Sequence, residues 1–284
     1  MGEISGAFVG SVALRRGLLT EYQLRRWYRP IFRDVYLPRG VRPSLRDRTI
    51  GASLRTRGYG VIAGAAASAL HGARWVDADV RIEVIGKHLR KQSGLIVRNE
   101  SLRDDEITEV AGLRVTTVAR TAYDLGRHLP RHKAVARLDA LARVGRFRAA
   151  EVLAVADRHP GARGLARLRV ALPLVDPGAE SPRESELRVT LIDAGFPVPT
   201  TQIPLYSGGR VVARLDMGWE EHQLAAEYDG EHHSTDRRTY VHGIRRDEFI
   251  LSQGWQRLPV VKEDSRARII DRVDKALRAR GWRP

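Results

Sequence analysis

The sequence predicts a multi-domain α/β chain of the α+β kind, and three observations lead there. Its 284 residues exceed what one hydrophobic core usually organises, so two or three domains are expected. Helical periodicity and strand-like alternation succeed one another along the chain, punctuated by Gly and Pro. Charge is divided unequally: residues 1–172 carry 32 Lys+Arg against 16 Asp+Glu, net +16, whereas the remaining 112 carry 17 against 18, net −1. The two parts are therefore expected to do different jobs. Arginine supplies nearly all of the excess, and its planar fork suits phosphate oxygens, which makes duplex DNA the expected partner. A GC-rich genome also favours Arg codons, although base composition alone would not confine the imbalance to one part.

Composition removes several functions. The absence of cysteine excludes disulfides, thiolate zinc sites and cysteine nucleophiles, leaving oxygen and imidazole ligands for any metal and making Mg²⁺ the default cation. No apolar run approaches the roughly 20 residues of a membrane span, and residues 1–14 lack the basic flank and apolar stretch of a signal peptide. A cytoplasmic protein without membrane contact is expected, its oligomeric state open.

Residues 1–40 read as a helical unit closed by a hairpin or wing. Thr20 and Gln23 form a capping-box pattern that opens a helix carrying Leu24 and Trp27, broken by Pro30. Residues 34–38 have strand character, so helix, helix and short strand follow one another as in a winged helix-turn-helix. Arg25, Arg26 and Arg29 are the candidate DNA contacts, although basic residues on an exposed helix equally serve solvation. Residues 41–130 alternate a small-residue helix, Ala63 to His71 and ended by Gly72, with strands around 80–85, 95–97 and 113–115. This predicts a mixed α/β unit. His71 is either a ligand or a helix-ending histidine facing the C-terminal dipole. Three stretches, Leu18-Leu19-Thr20 with Leu24, Ala66-Ala67-Ser68-Ala69-Leu70-His71-Gly72, and residues 115–125 (VTTVARTAYDL), resemble AbiEi-type antitoxin proteins. That resemblance covers roughly residues 8–130 and implies a winged helix that binds operator DNA. Residues 131–172 read as an Arg-rich helical spacer, and residues 172–180, with Pro173, Pro177 and Gly178, as a linker.

A last domain is expected over 173–284. Ser181 caps a helix with Pro182 at its first position and Gly195 past its end. Residues 211–216 and 222–230 read as an antiparallel pair across a tight turn. With a two-residue turn Asp216 faces Ala225, which gathers Asp216, Glu227 and Asp229 on one face. Three such carboxylates repel unless a cation neutralises them, and hard oxygen donors suit magnesium, whose retained water can act as a nucleophile on phosphodiesters. Asp216 and Asp229 equally fit strand ends. His232, His233 and His242 match no standard zinc spacing.

Ser181-Pro182-x-Glu184, Arg214-Leu215-Asp216, Glu227-Tyr228-Asp229-Gly230-x-x-His233, Arg246 and Gly254-Trp255 together resemble the Vsr-like branch of the PD-(D/E)XK endonuclease superfamily, over residues 180–284. The resemblance implies an α-β-β-β-α-β core and a Mg²⁺-dependent DNA endonuclease, Mn²⁺ being an alternative ion. Asp216 and Glu227 would hold the metal, Glu184 would project toward it, and Asp229, His233 and Arg246 would complete the catalytic set. Gly243 stands where the family has an acidic residue, and Pro259 where it commonly has an arginine in the strand after Gly-Trp. These departures fit a second expectation, a DNA-binding transcriptional regulator or antitoxin that keeps an inactive nuclease fold. Glu184 also completes a capping box with Ser181. The final helix, Ser265 to Arg280, is read as packing.

Overall fold

The computed structural model describes residues 4–230 and 237–283 and is mixed α/β, as the sequence predicts. The chain forms two compact units, Met1–Leu129 with Leu141–Pro173, and Pro130–Ala140 with Leu174–Pro284.

The first unit begins with β1 (Phe8–Val9), α1 (Gly10–Arg15), α2 (Glu21–Trp27), β2 (Tyr28–Phe32) and β3 (Val35–Pro38). The strands form a sheet in the order β1-β3-β2, and Ala13, Leu19, Leu24 and Tyr28 pack into a small core with the helices. The Thr20 hydroxyl accepts from Gln23 N at 3.2 Å and the Gln23 side chain accepts from Thr20 N at 2.8 Å, closing the expected capping box. Helix α2 stops at Trp27, so Pro30 does not break it. Proline instead lies inside edge strand β2, where the missing N–H leaves no interior ladder bond unmade.

Helix α3 (Leu45–Arg55), β4 (Val61–Ala63), α4 (Gly64–Leu70), β5 (Ile82–Ile85), β6 (Leu95–Arg98), β7 (Ile107–Val110) and β8 (Leu113–Thr116) follow, with a five-stranded sheet in the order β6-β5-β4-β8-β7. All three residues of the central β4 are buried, as expected of a strand covered on both faces. Then come α5 (Val118–His128), α6 (Arg131–Gly145), α7 (Ala149–Arg158) and α8 (Leu165–Ala171). The stretch read as a spacer is not one. Helices α7 and α8 pack on α5, so closely that a Cβ on Gly126 would meet Leu168 Cδ1 at 2.3 Å.

In the second unit α9 (Pro182–Asp193) precedes β9 (Thr200–Ser207), β10 (Arg210–Trp219), β11 (Leu224–Tyr228), α10 (Arg237–Ser252), β12 (Gln256–Val260) and α11 (Arg266–Ala279). This element order is α-β-β-β-α-β with one added helix. The sheet runs β12-β11-β10-β9, with β11 and β12 parallel and the other pairs antiparallel. One core joins Leu187, Leu191, Met217, Leu224, Val273 and Leu277, and a second joins Ile203, Leu215, Ala225, Ile250 and Trp255. Helices therefore cover both sheet faces, and β11, Leu-Ala-Ala-Glu-Tyr, buries its first four residues. Placing Glu227 in that strand is costly unless a partner meets it.

Candidate functional site

The connection from β10 to β11 is longer than two residues. A 3-10 turn over Glu220–His222 and a left-handed Gln223 (φ 47°) join the strands, and Gly218 pairs with Ala225 and Met217 with Ala226. The register thus differs by two from the sequence expectation. Beyond Met217 the ladder gives way to a side chain, for the Asp216 carboxylate accepts from Tyr228 N at 3.2 Å.

Three carboxylates gather here. Glu184, 8 % exposed, points in from the first turn of α9, and Glu227 is 3 % exposed. Burial, then the nearby charges of Glu184 and Glu227, push the Asp216 carboxyl up to about 7, against the pull of Tyr228 N and Arg246. Glu227 is the compensated member. Arg246 on α10 reaches its two oxygens at 2.7 and 3.2 Å, and Arg257 on β12 bonds one of them as well as Asp229 at 2.9 Å. Glu227, expected to be an open metal ligand beside Asp216, instead has both oxygens on guanidinium groups.

Arg257 is the residue that the sequence reading missed. Register pairs Ala225 with Arg257 and Glu227 with Pro259, so residues 257 and 259 share a strand face, and the guanidinium on Glu227 comes from two positions before Pro259. Glu184 Oε2 accepts from Glu180 N at 2.8 Å, one residue ahead of the expected capping-box partner, while Ser181 Oγ accepts from Glu184 N at 3.2 Å. Asp229 is exposed beyond β11, and His232 and His233 lie outside the described residues. His242 is exposed on α10, which also carries Gly243.

In the first unit the VTTVARTAYDL stretch builds a buried ionic net. Arg120, 1 % exposed, donates to Glu106 at 2.5 Å, Glu100 at 3.0 Å and Asp124 at 3.1 Å. Arg127 joins Glu100 and Asp124, both guanidinium groups lie about 5 Å from the Tyr123 ring, at 5.1 and 4.8 Å, and His159 sits 2.8 Å from Glu106. Burial raises the Glu100 carboxyl, but the His128 hydrogen bond and the Arg127 charge outweigh it and bring it to about 2. Glu100, Asp124 and His128 have ligand atoms within 4.8 Å of one another, yet arginines already neutralise the acids. His71 ends α4 at its C-cap, as the helix-end reading expects, and its Nε2 lies 2.7 Å from the Thr116 carbonyl oxygen, tying α4 to β8.

The arginines expected on DNA separate by role. Arg26 is exposed on α2, Arg25 is exposed and pairs with Glu21 at 3.2 Å, and Arg29 is not on the helix. It belongs to β2, half-buried, and donates to the Val41 carbonyl. Arg29 thus braces the segment after the wing.

The α/β domain with its buried arginine net has counterparts among known proteins. Residues 60–174, from β4 through α8, match the AbiEi antitoxin C-terminal domain family. Two Mycobacterium tuberculosis proteins, "Uncharacterized protein MT2308" of strain CDC 1551 / Oshkosh and "Uncharacterized protein Rv2248" of strain H37Rv, are each 31 % identical over 243 residues, spanning 82 % of this chain and 89 % of theirs. The chain belongs to the family of these mycobacterial proteins. No solved structure matches it.

Proposed function

We propose that the protein is a DNA-binding regulator of the AbiEi antitoxin kind, contacting duplex DNA through the winged helix of its basic first unit and pairing with a protein toxin. The match of residues 60–174 to the antitoxin domain carries this reading. The net charge of +16 over residues 1–172 supports it, as does the exposed surface of α2, where Arg26 lies among Tyr22 and Trp27, 67 % and 50 % exposed. No helix among the described residues is long and apolar enough to cross a membrane. The test is gel retardation of full-length protein on duplex DNA from upstream of its own coding region against unrelated duplex of equal length. Preferential retention of the upstream duplex is expected. Equal retention of both, or of neither at low salt, overturns the reading.

A second reading, Mg²⁺- or Mn²⁺-dependent hydrolysis of DNA phosphodiesters, is favoured by one observation, the gathering of Glu184, Asp216 and Glu227 at one place. The element order and motifs of the Vsr-like endonucleases point the same way. The donor set fits a hard cation, because three carboxyl groups supply oxygen ligands at one place. Asp216 and Glu184 would hold the ion, with Glu227 kept in place by Arg246 and Arg257. A bound ion would acidify a water and polarise a phosphoryl oxygen. Incubation with single- and double-stranded DNA plus Mg²⁺ or Mn²⁺, with chelator as control, should give cleavage that Asp216→Ala abolishes. Intact DNA under all conditions removes this reading and leaves the regulator.

A further inference from the structure

Two cavities that share wall residues lie in the first unit. One, of about 530 Å³, is walled by Arg33 at the tip of the β2–β3 hairpin, Arg55 at the end of α3, Arg57 just after it, and His88 and Arg90 between β5 and β6. The other, of about 620 Å³, shares Arg33, Asp34, Arg55 and Arg57 and continues against the aliphatic side chains of Val9, Val12, Val35 and Leu54, with Arg15, Ser11 and Ser53 also in its wall. Each volume falls within the range of small-ligand sites, on the order of 300–1,000 Å³.

The charge in this place is unbalanced. Among the described residues the only carboxylate in either wall is Asp34, and both its oxygens are taken by Ser11, at 2.8 Å from the backbone N and 2.6 Å from the hydroxyl. Arg55 donates to Gln92 at 2.9 Å, and the guanidinium groups of Arg33, Arg57 and Arg90 make no ion pair or hydrogen bond among the described residues. Four guanidinium groups facing one concavity repel one another unless an anion lies between them, and their forked donors match phosphate oxygens. Backbone strain collects at the same place: Asp34 (φ 63°), Arg57 (φ 54°) and His88 (φ 59°) are three of the eight non-glycine residues in left-handed conformation among the described residues. Such strain persists where the surroundings hold a side chain to a task.

We propose that these cavities bind a nucleoside polyphosphate, with the phosphates among Arg33, Arg55, Arg57 and Arg90 and the nucleoside in the aliphatic chamber. A duplex is a convex rod that offers its phosphates to a surface. A concave site with four arginines collects several negative charges from one small molecule. The inference rests on the cavities and is independent of the DNA-binding reading.

The test is isothermal titration calorimetry of the full-length protein at low salt without divalent cation, using ATP, GTP, inorganic tripolyphosphate and adenosine. Arg33→Gln with Arg90→Gln removes two exposed, unpaired charges, so melting temperature should hold, and Arg210→Gln on the second unit serves as control. A nucleoside triphosphate should bind, the double variant should weaken it at least about tenfold, and the control should not. Adenosine should bind undetectably and tripolyphosphate more weakly than the nucleotide. No binding by any polyphosphate, or equal affinity in the double variant, overturns the site. Tripolyphosphate binding as tightly as the nucleotide overturns the nucleoside part. If nucleotides fail and a duplex oligonucleotide binds in a manner the double variant weakens, the cavities seat nucleic-acid backbone and the proposal is overturned.

Discussion

Asp216 and Glu100 are carboxylates displaced in opposite directions, and each makes stability depend on pH in its own sense. Asp216 is raised to about 7 by burial beside Glu184 and Glu227, so its ionisation favours the unfolded chain, and its penalty grows as pH climbs from about 4 through about 7. With chelator present, Asp216→Asn should be more stable than wild type at about pH 8 by about 2 kcal/mol, half of what the full shift would give, and no more stable below about pH 4. Equal or lower denaturation midpoints at the higher pH would show that the charge is neutralised in some other way. Glu100 is held near 2, below its unfolded value, so its contribution is complete above about pH 4.5 and is lost as pH falls toward about 2. Glu100→Gln should cost about 1–2 kcal/mol near neutral pH and nothing near pH 2, read by urea denaturation, the modest figure reflecting its 27 % side-chain exposure. The three acids of the cluster were legible in the sequence because they lie in strand and cap patterns. Arg257 was not, because its role depends on a parallel pairing between strands separated by a helix, which alternation within one strand does not reveal.

Among the elements, those whose ends are written in local chemistry could be read directly. Thr20 with Gln23, Ser181 with Pro182, and Ser265 each cap the helix expected of them. Elements decided by tertiary packing went unread. Strand β9 carries Pro204 yet pairs with β10 from the sheet edge, and β4 is three short residues made a strand by burial on both sides. The β10–β11 register escaped because Trp219 and the left-handed Gln223 extend the hairpin beyond the tight turn that the alternation implied. Gly218 is the hinge of that register. A Cβ there would lie 2.5 Å from the Leu224 carbonyl oxygen and 3.1 Å from Trp255, backbone and ring that cannot both move aside. Gly218→Ala should therefore cost about 1–3 kcal/mol and, by shifting β10 against β11, disturb the Asp216 to Tyr228 bond. Thermal unfolding measures the first, and a melting temperature equal to wild type would show that the strands separate without penalty.

At the scale of the whole chain, charge sorts the units before any fold is known. The acids of the second unit are largely matched by its arginines, and the surplus of residues 1–172 is left to find counter-ions in solution or on a polyanion. Neutralising phosphates releases condensed cations, so the logarithm of DNA affinity should fall linearly with the logarithm of salt, with a slope of about −0.9 for each phosphate engaged. Structure then separates arginines that can contribute to this slope from those that cannot. Arg25 and Arg26 face solvent on α2, whereas Arg29 is tied to the Val41 carbonyl and Arg120 is buried in its net of acids. Replacing Arg25 or Arg26 with Gln should lower the slope by about one each and weaken binding across all sequences alike. Arg29→Gln should lower the melting temperature while leaving the slope unchanged, and Arg210→Gln, exposed in the second unit, should alter neither. Fluorescence anisotropy of a labelled duplex, titrated with full-length protein at several salt concentrations, reads all four variants. If Arg210→Gln reduces the slope as much as Arg26→Gln does, DNA does not discriminate between the units and the winged helix loses its assigned role.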